Sequence, residues 1–195
     1  MVNFQSCVFD IETSGLDAIG SGFMLCAVIK PLGGRSRVLR IDEIAGCKPG
    51  NERHLIEAVV AELSQYAIWI GHNIKGFDWP WIKSRCKFFD LPVPRGVFFY
   101  DTLQGFRRLG YKTVPNRIGK PSASLGHVVD FFGLQQEKTA IFPRSHWETV
   151  WQIKPKRTEA LDNLVDHCVS DVRMTEAVFN NLWPDDYGAA LRRLN

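Results

Sequence analysis

The chain predicts an α/β fold: one mixed five-stranded sheet, three antiparallel strands followed by parallel ones, flanked by helices. Two observations carry this. Three short apolar runs with strand character open the chain, and from residue 51 onward strand and helix patterns alternate. The length of 195 residues fits a single domain spanning 1–195.

Phe4 to Asp10 reads as the first strand, rich in Val, Phe and Cys. Phe23 to Lys30 is a second apolar run and Arg37 to Ile41 a third. The stretch Gly15 to Gly22 is long for a hairpin connection, which marks it as functional or as curling over a site. Asn51 is the expected N-cap of a helix reaching about Tyr66, with Leu55, Ile56, Val59, Val60 and Leu63 on one face. Ala67 to Ile70 is a short buried strand. A helix over Phe77 to Phe89 has Pro80 in its first turn, where a missing N–H is harmless. Val97 to Tyr100 is the fifth strand, ending at Asp101. Ser124 caps a helix to about Phe132, stopped by Gly133. Thr158 to Leu182 is a long helical pattern closed by Pro184. Tyr111 to Pro121, rich in Gly, Pro and basic residues, reads as a loop.

Composition bounds the class. Hydrophobic content of 45%, charged content of 23% and a net charge of +3 are those of an ordinary globular protein, and the mild charge permits nucleic-acid binding without requiring it. Five scattered cysteines without a CxxC pair argue against a zinc knuckle and for a reducing, cytoplasmic setting. The amino terminus shows no signal-peptide pattern, and no apolar run is long enough to span a membrane, so no membrane partner is expected.

Three patches carry chemistry. Asp10 and Glu12 stand two apart at a strand end, so both point to one face. Asp78 begins a helix just after the turn containing Asn73, near the C-terminal edge of the sheet, where α/β sites lie. His167 and Asp171 are four apart on a helix and share a face. Each patch alone is also what a solvated acidic pair, a helix-start acid or an exposed helical pair would look like. Asp162 and Asp166 are rival acids near the third. Together, four converging carboxylates repel at neutral pH, and hard divalent cations are the natural remedy. Two such metals clamp a phosphate and its attacking water.

The patches resemble the motifs of the DEDD (DnaQ-like) 3′-to-5′ exonuclease superfamily, a branch of the RNase H-like fold. DIETSGLD (Asp10–Asp17), GHNIKGFD (Gly71–Asp78) and HCVSDV (His167–Val172) carry the resemblance. FYDTL (Phe99–Leu103), SLGHVVDFFGL (Ser124–Leu134) and EKT (Glu137–Thr139) add to it. The chain is most similar to the branch related to the proofreading domain of family-B DNA polymerases. It departs from that branch at one position. The Tyr branch has Y-x-x-x-D and the His branch H-x-x-x-x-D, whereas here His167 occupies the Tyr position at Tyr-branch spacing.

The resemblance implies two-metal hydrolysis of phosphodiester bonds, releasing nucleoside monophosphates. Asp10, Glu12, Asp78 and Asp171 would hold two Mg²⁺ or Mn²⁺ ions, and His167 would orient or deprotonate the water, with His72 as a competitor. Thr13, Ser14, Gly15 and Leu16 would cradle the terminal nucleotide through backbone groups, with Leu16 against its base, and Asn73 and Phe77 would flank the scissile region. The basic residues Arg107, Arg108, Lys112, Arg117 and Lys120, interleaved with Phe106 and Tyr111, read as a single-strand guide or as a solvated loop. Lys154, Lys156 and Arg157 form a second cluster. Trp79 is a candidate for stacking on a base; Trp81 reads as core. The implied partner is a single-stranded 3′ end, DNA ahead of RNA, with a separate polymerase or repair protein if the role is proofreading. The rivals are an exoribonuclease, an RNase H-like endonuclease and a catalytically weak nucleic-acid-binding module.

Overall fold

In the computed structural model of the chain, the structure describes residues 5–111, 123–135 and 156–192, with backbone alone for 156–158 and 185–192. Five strands form one sheet: β1 (Ser6–Thr13), β2 (Met24–Pro31), β3 (Arg37–Arg40), β4 (Ile68–Gly71) and β5 (Phe98–Asp101). Their order is β3-β2-β1-β4-β5. β1–β2 and β2–β3 are antiparallel, while β1–β4 and β4–β5 are parallel. This is the mixed sheet expected for an RNase H-like fold.

The described helices are α1 (Arg53–Leu63), α2 (Asp78–Phe88), α3 (Thr102–Arg108), α4 (Leu125–Phe131) and α5 (Lys156–Arg192). Strand alternation splits β1 between two cores. Cys7, Phe9 and Ile11 share one cluster with Leu55, Ile56 and Val59 of α1 and with Trp81 and Ile82 of α2. Val8 shares the other with Cys168 and Val172 of α5. Asp10 and Glu12 follow Val8 on the α5 side.

β1 is longer than its parallel neighbour. β4 pairs with Ser6 to Val8 only, whereas β2 pairs with β1 from Cys7 to Thr13. The far half of β1 therefore runs past β4, and a notch opens there beside α2. No helix among the described residues is long and apolar enough to cross a membrane.

Four expectations are corrected. Glu52, not Asn51, sits at the N-terminus of α1, and its carboxylate is turned inward to Arg85 rather than used as a cap. Thr102–Arg108 is helical, started by the Asp101 carboxylate, which accepts from Leu103 N and Gln104 N. Pro184 lies inside α5, which continues to Arg192. Trp79 packs against Trp69 and Phe99, each at 5.5 Å between ring centroids, and so belongs to the core.

Candidate active site

The acids of the three patches act on one another's ionisation. Burial pushes the Asp10 carboxyl well above the usual carboxylate range, and the charges of Asp78, Glu12 and Asp171 push it further. Burial raises Asp78 to about 7, with Asp101 and Asp171 adding to the rise. Asp171 is raised too, again by burial, and His167 opposes the shift. β1, the start of α2 and the middle of α5 thus bring their carboxylates into one electrostatic neighbourhood.

Local structure explains each placement. The backbone amides of Asp78 and Ile11 oppose that rise at Asp78. Asp78 Oδ1 is buried with no hydrogen-bond partner among the described residues. On α5, His167 Nε2 lies 3.7 Å from Asp171 Oδ2. One residue along, Cys168 Sγ reaches Asp10 Oδ2 at 3.3 Å and Asp10 O at 3.4 Å. This thiol joins α5 to β1 directly behind the acids.

A cleft of about 420 Å³ adjoins them, lined by Ile11, Glu12, Thr13, Ser14, Gly15, Leu16 and Phe77. Leu16 is 87% exposed at its rim. The backbone cradle expected of this loop is only partly available. Ser14 N–H donates to Phe23 O at 2.9 Å, and Ser14 Oγ accepts from Phe23 N at 3.0 Å. Thr13 Oγ1 donates to Gly15 O at 2.8 Å. These bonds close the loop on itself, so Ser14 and Thr13 shape the cleft wall. Gly22 is required there, because a Cβ would fall 2.0 Å from Asp17 O.

The second motif is a turn held by a residue that the sequence reading passed over. Asp101 is buried at the end of β5. Its carboxylate accepts from Asn73 N at 3.1 Å and Lys75 N at 3.2 Å, besides Leu103 N and Gln104 N of α3. Asn73 adopts φ 65°, and its side chain crosses Gly76, where a Cβ would lie 2.3 Å from Asn73 Oδ1. Asn73 thus builds the turn that delivers Phe77 and Asp78. A strand-final Asp followed by Thr at a helix start was the available signal.

His72 is placed differently from its expected role. Its Nδ1 meets Thr102 Oγ1 at 3.0 Å and its Nε2 meets Ala123 O at 2.9 Å. Burial lowers its pKa. Both ring nitrogens are thereby engaged in joining the end of β4 to α3 and to Ala123 just before α4. Arg107 and Arg108 stand exposed on the last turn of α3, and Phe106 is fully buried, so this part of the expected guide is a helix. Lys112, Arg117 and Lys120, and the side chains of Lys154, Lys156 and Arg157, lie outside the described residues, as does Glu137–Thr139.

A family model of the RNase H superfamily matches residues 7–183. The chain belongs to the RNase H superfamily. Among solved structures, it is similar to the family B DNA polymerase from the hyperthermophilic archaeon Pyrobaculum calidifontis, with a TM-score of 0.69 and 21% identity. That match covers 93% of this chain and 25% of the polymerase. It is also similar to E. coli Exonuclease I in complex with a dA16 oligonucleotide, with a TM-score of 0.61, 14% identity, and coverage of 99% of this chain and 44% of that one. The chain therefore spans less than half of either protein. No curated protein sequence matches it significantly.

Oxygen-only donors, like charges buried together and the partnerless Asp78 Oδ1 suit hard ions such as Mg²⁺ and Mn²⁺. Among the described residues, no three His, Cys, Asp or Glu side chains are gathered tightly enough to form a ready cage. The acids press on one another's ionisation without being drawn to ligand spacing.

Proposed function

We propose that this chain is a metal-dependent 3′-to-5′ exonuclease of the DEDD (DnaQ-like) branch, acting on single-stranded nucleic acid, DNA in preference to RNA, as one domain. The observation that carries the reading is the electrostatic convergence of Asp10, Glu12, Asp78 and Asp171 beside an open cleft. Folds similar to this one include Exonuclease I, whose structure holds dA16, and a DNA polymerase, which supports a DNA strand and a role beside a polymerase or repair protein.

Two Mg²⁺ or Mn²⁺ ions held by the four acids would neutralise the cluster and stabilise negative charge at the scissile phosphate. The chain's own residues do the rest. The cleft wall from Thr13 to Leu16 seats the terminal nucleotide, with exposed Leu16 against its base and Phe77 opposite. Asp101 and Asn73 hold the turn that sets Asp78 in the notch. His167, poised beside Asp171, orients the attacking water and takes its proton.

A time course on 3′- and 5′-labelled DNA and RNA oligonucleotides tests this. Mononucleotides should leave the 3′ end in Mg²⁺ or Mn²⁺, and none in chelator. Asp10→Ala should lower the rate by about 10³-fold or more, and His167→Ala by about 10²-fold, within the range of general-base effects. Undiminished cleavage by Asp10→Ala, or cleavage of a closed single-stranded circle, would overturn the reading.

A further inference from the structure

A second groove, of about 540 Å³, lies between α2 and the β1–β2 loop. Ile19, Pro80, Lys83, Ser84, Lys87 and Phe88 line it. On α2 these are positions i, i+3, i+4, i+7 and i+8, a single stripe, while Trp81, Ile82, Arg85 and Cys86 face the core. An outward stripe of two lysines and an aromatic is not a packing surface. Ile19 is 72% exposed and Phe88 is 55% exposed.

The aromatic is pre-set. The Arg85 guanidinium lies 4.4 Å from the centroid of the Phe88 ring, and Phe89 meets its edge at 5.0 Å. Arg85 is buried, held by Glu52, and donates to Ala18 O at 3.1 Å, which fixes the loop that forms the opposite wall. Phe88 therefore has a cation and a second ring against part of its surface and solvent over about half of it. Lys83 and Lys87 are exposed and have no acidic partner among the described residues. A stiff aromatic flanked by two uncompensated ammonium groups matches a base with its neighbouring phosphates.

The groove and the cleft are built from the same two segments. Leu16 of the cleft and Ile19 of the groove belong to one loop, and Phe77 and Pro80 border the same first turn of α2. We propose that this groove is a second nucleic-acid subsite, which takes the single strand beyond the nucleotide held in the cleft. The proposal rests on the nuclease reading for the nature of its occupant.

The test is fluorescence anisotropy in chelator, where no cleavage is expected, with deoxyoligonucleotides of roughly 3 and roughly 12 nucleotides, lengths below and within a single-strand site. Wild-type protein should prefer the longer strand. Phe88→Ala should weaken the longer strand roughly 5- to 150-fold, with Phe88→Trp restoring it. Lys83→Ala with Lys87→Ala should reduce the salt slope for the longer strand by about 1.4. Variants that bind the longer strand as wild type does, or that weaken both lengths equally, would overturn the proposal. If Phe88→Ala dissociates a dimer while strand affinity stays unchanged, the face joins two copies and the subsite is overturned. Cleavage is scored separately: groove-dependent binding without cleavage in Mg²⁺ or Mn²⁺ removes the nuclease reading and leaves the subsite standing.

Discussion

Glu52 and Asp78 are both buried carboxylates, and both serve the region around the β1–β2 loop, yet their charges are met in opposite ways. Glu52 is fully buried against Arg85, with Arg85 Nη2 at 2.8 Å and Nε at 2.7 Å, and it also accepts from Met24 N at 3.3 Å. Asp78 has an Oδ1 without a partner among the described residues, and further negative charge from Asp101 and Asp171. A buried acid with its counter-charge built in is architecture. A set of neighbouring acids, one of them fully buried and without an arginine or lysine built in beside it, is arranged for a charge that comes from outside. The Glu52–Arg85 pair pins the loop, α1 and α2 together. The Asp10–Asp78–Asp171 cluster is the feature that this frame supports.

The largest effect on stability should come from breaking the built-in pair. Arg85→Ala strands Glu52 and removes the contact to Ala18, at a cost of about 3–5 kcal/mol measured by urea unfolding. Asp78→Asn, in chelator, should leave stability equal to wild type or higher, because it removes one of several repelling charges. Equal destabilisation by the two variants would break the comparison.

Asp101 sharpens it. This acid is satisfied by four backbone N–H groups rather than by a cation. Asp101→Ala should cost about 1–3 kcal/mol by leaving those donors unmet. On the proposed reading it should lower kcat for strand cleavage more than it raises KM, because the turn it holds carries Asp78 as well as Phe77 of the cleft wall. Asp101→Asn keeps an acceptor and should recover much of the loss. A fall in KM-dependent binding alone would place Asp101 in substrate recognition instead.

How much of this the sequence disclosed depends on the range of the forces involved. Strand positions followed from local apolar patterning, and Asp10 and Glu12 from strand periodicity, so these were legible. α3 was not. It is seven residues long, contains Gly105, ends on Arg107 and Arg108, and owes its start to the carboxylate of Asp101. The inward turn of Glu52 was hidden for a similar reason, since its partner Arg85 is 33 residues away. Ser14 and Asn73 sat in recognisable motifs, but their hydrogen bonds within the loop and turn show them shaping the site. His72 sat in the same motif as Asn73, and only the packing of α3 and the start of α4 shows where its ring nitrogens go.

The comparison also predicts a pH dependence of stability in chelator. Asp78 titrates near 3.8 in an unfolded chain and is raised to about 7 here, so the folded state binds the extra proton between those values. Its contribution to stability is present below about 3.8 and is lost as pH rises toward 7. Tm should decline over that window, more shallowly in Asp78→Asn, and added Mg²⁺ should suppress the decline. A Tm that climbs with pH across the window would contradict the burial of like charges.

The most direct measurement is anomalous diffraction from crystals of the protein soaked in Mn²⁺. We expect two peaks roughly 3.5–4 Å apart among Asp10, Glu12, Asp78 and Asp171, and their loss in Asp10→Ala. Saturating Mn²⁺ that leaves these four side chains without a peak, or that gathers elsewhere on the chain, would contradict the account.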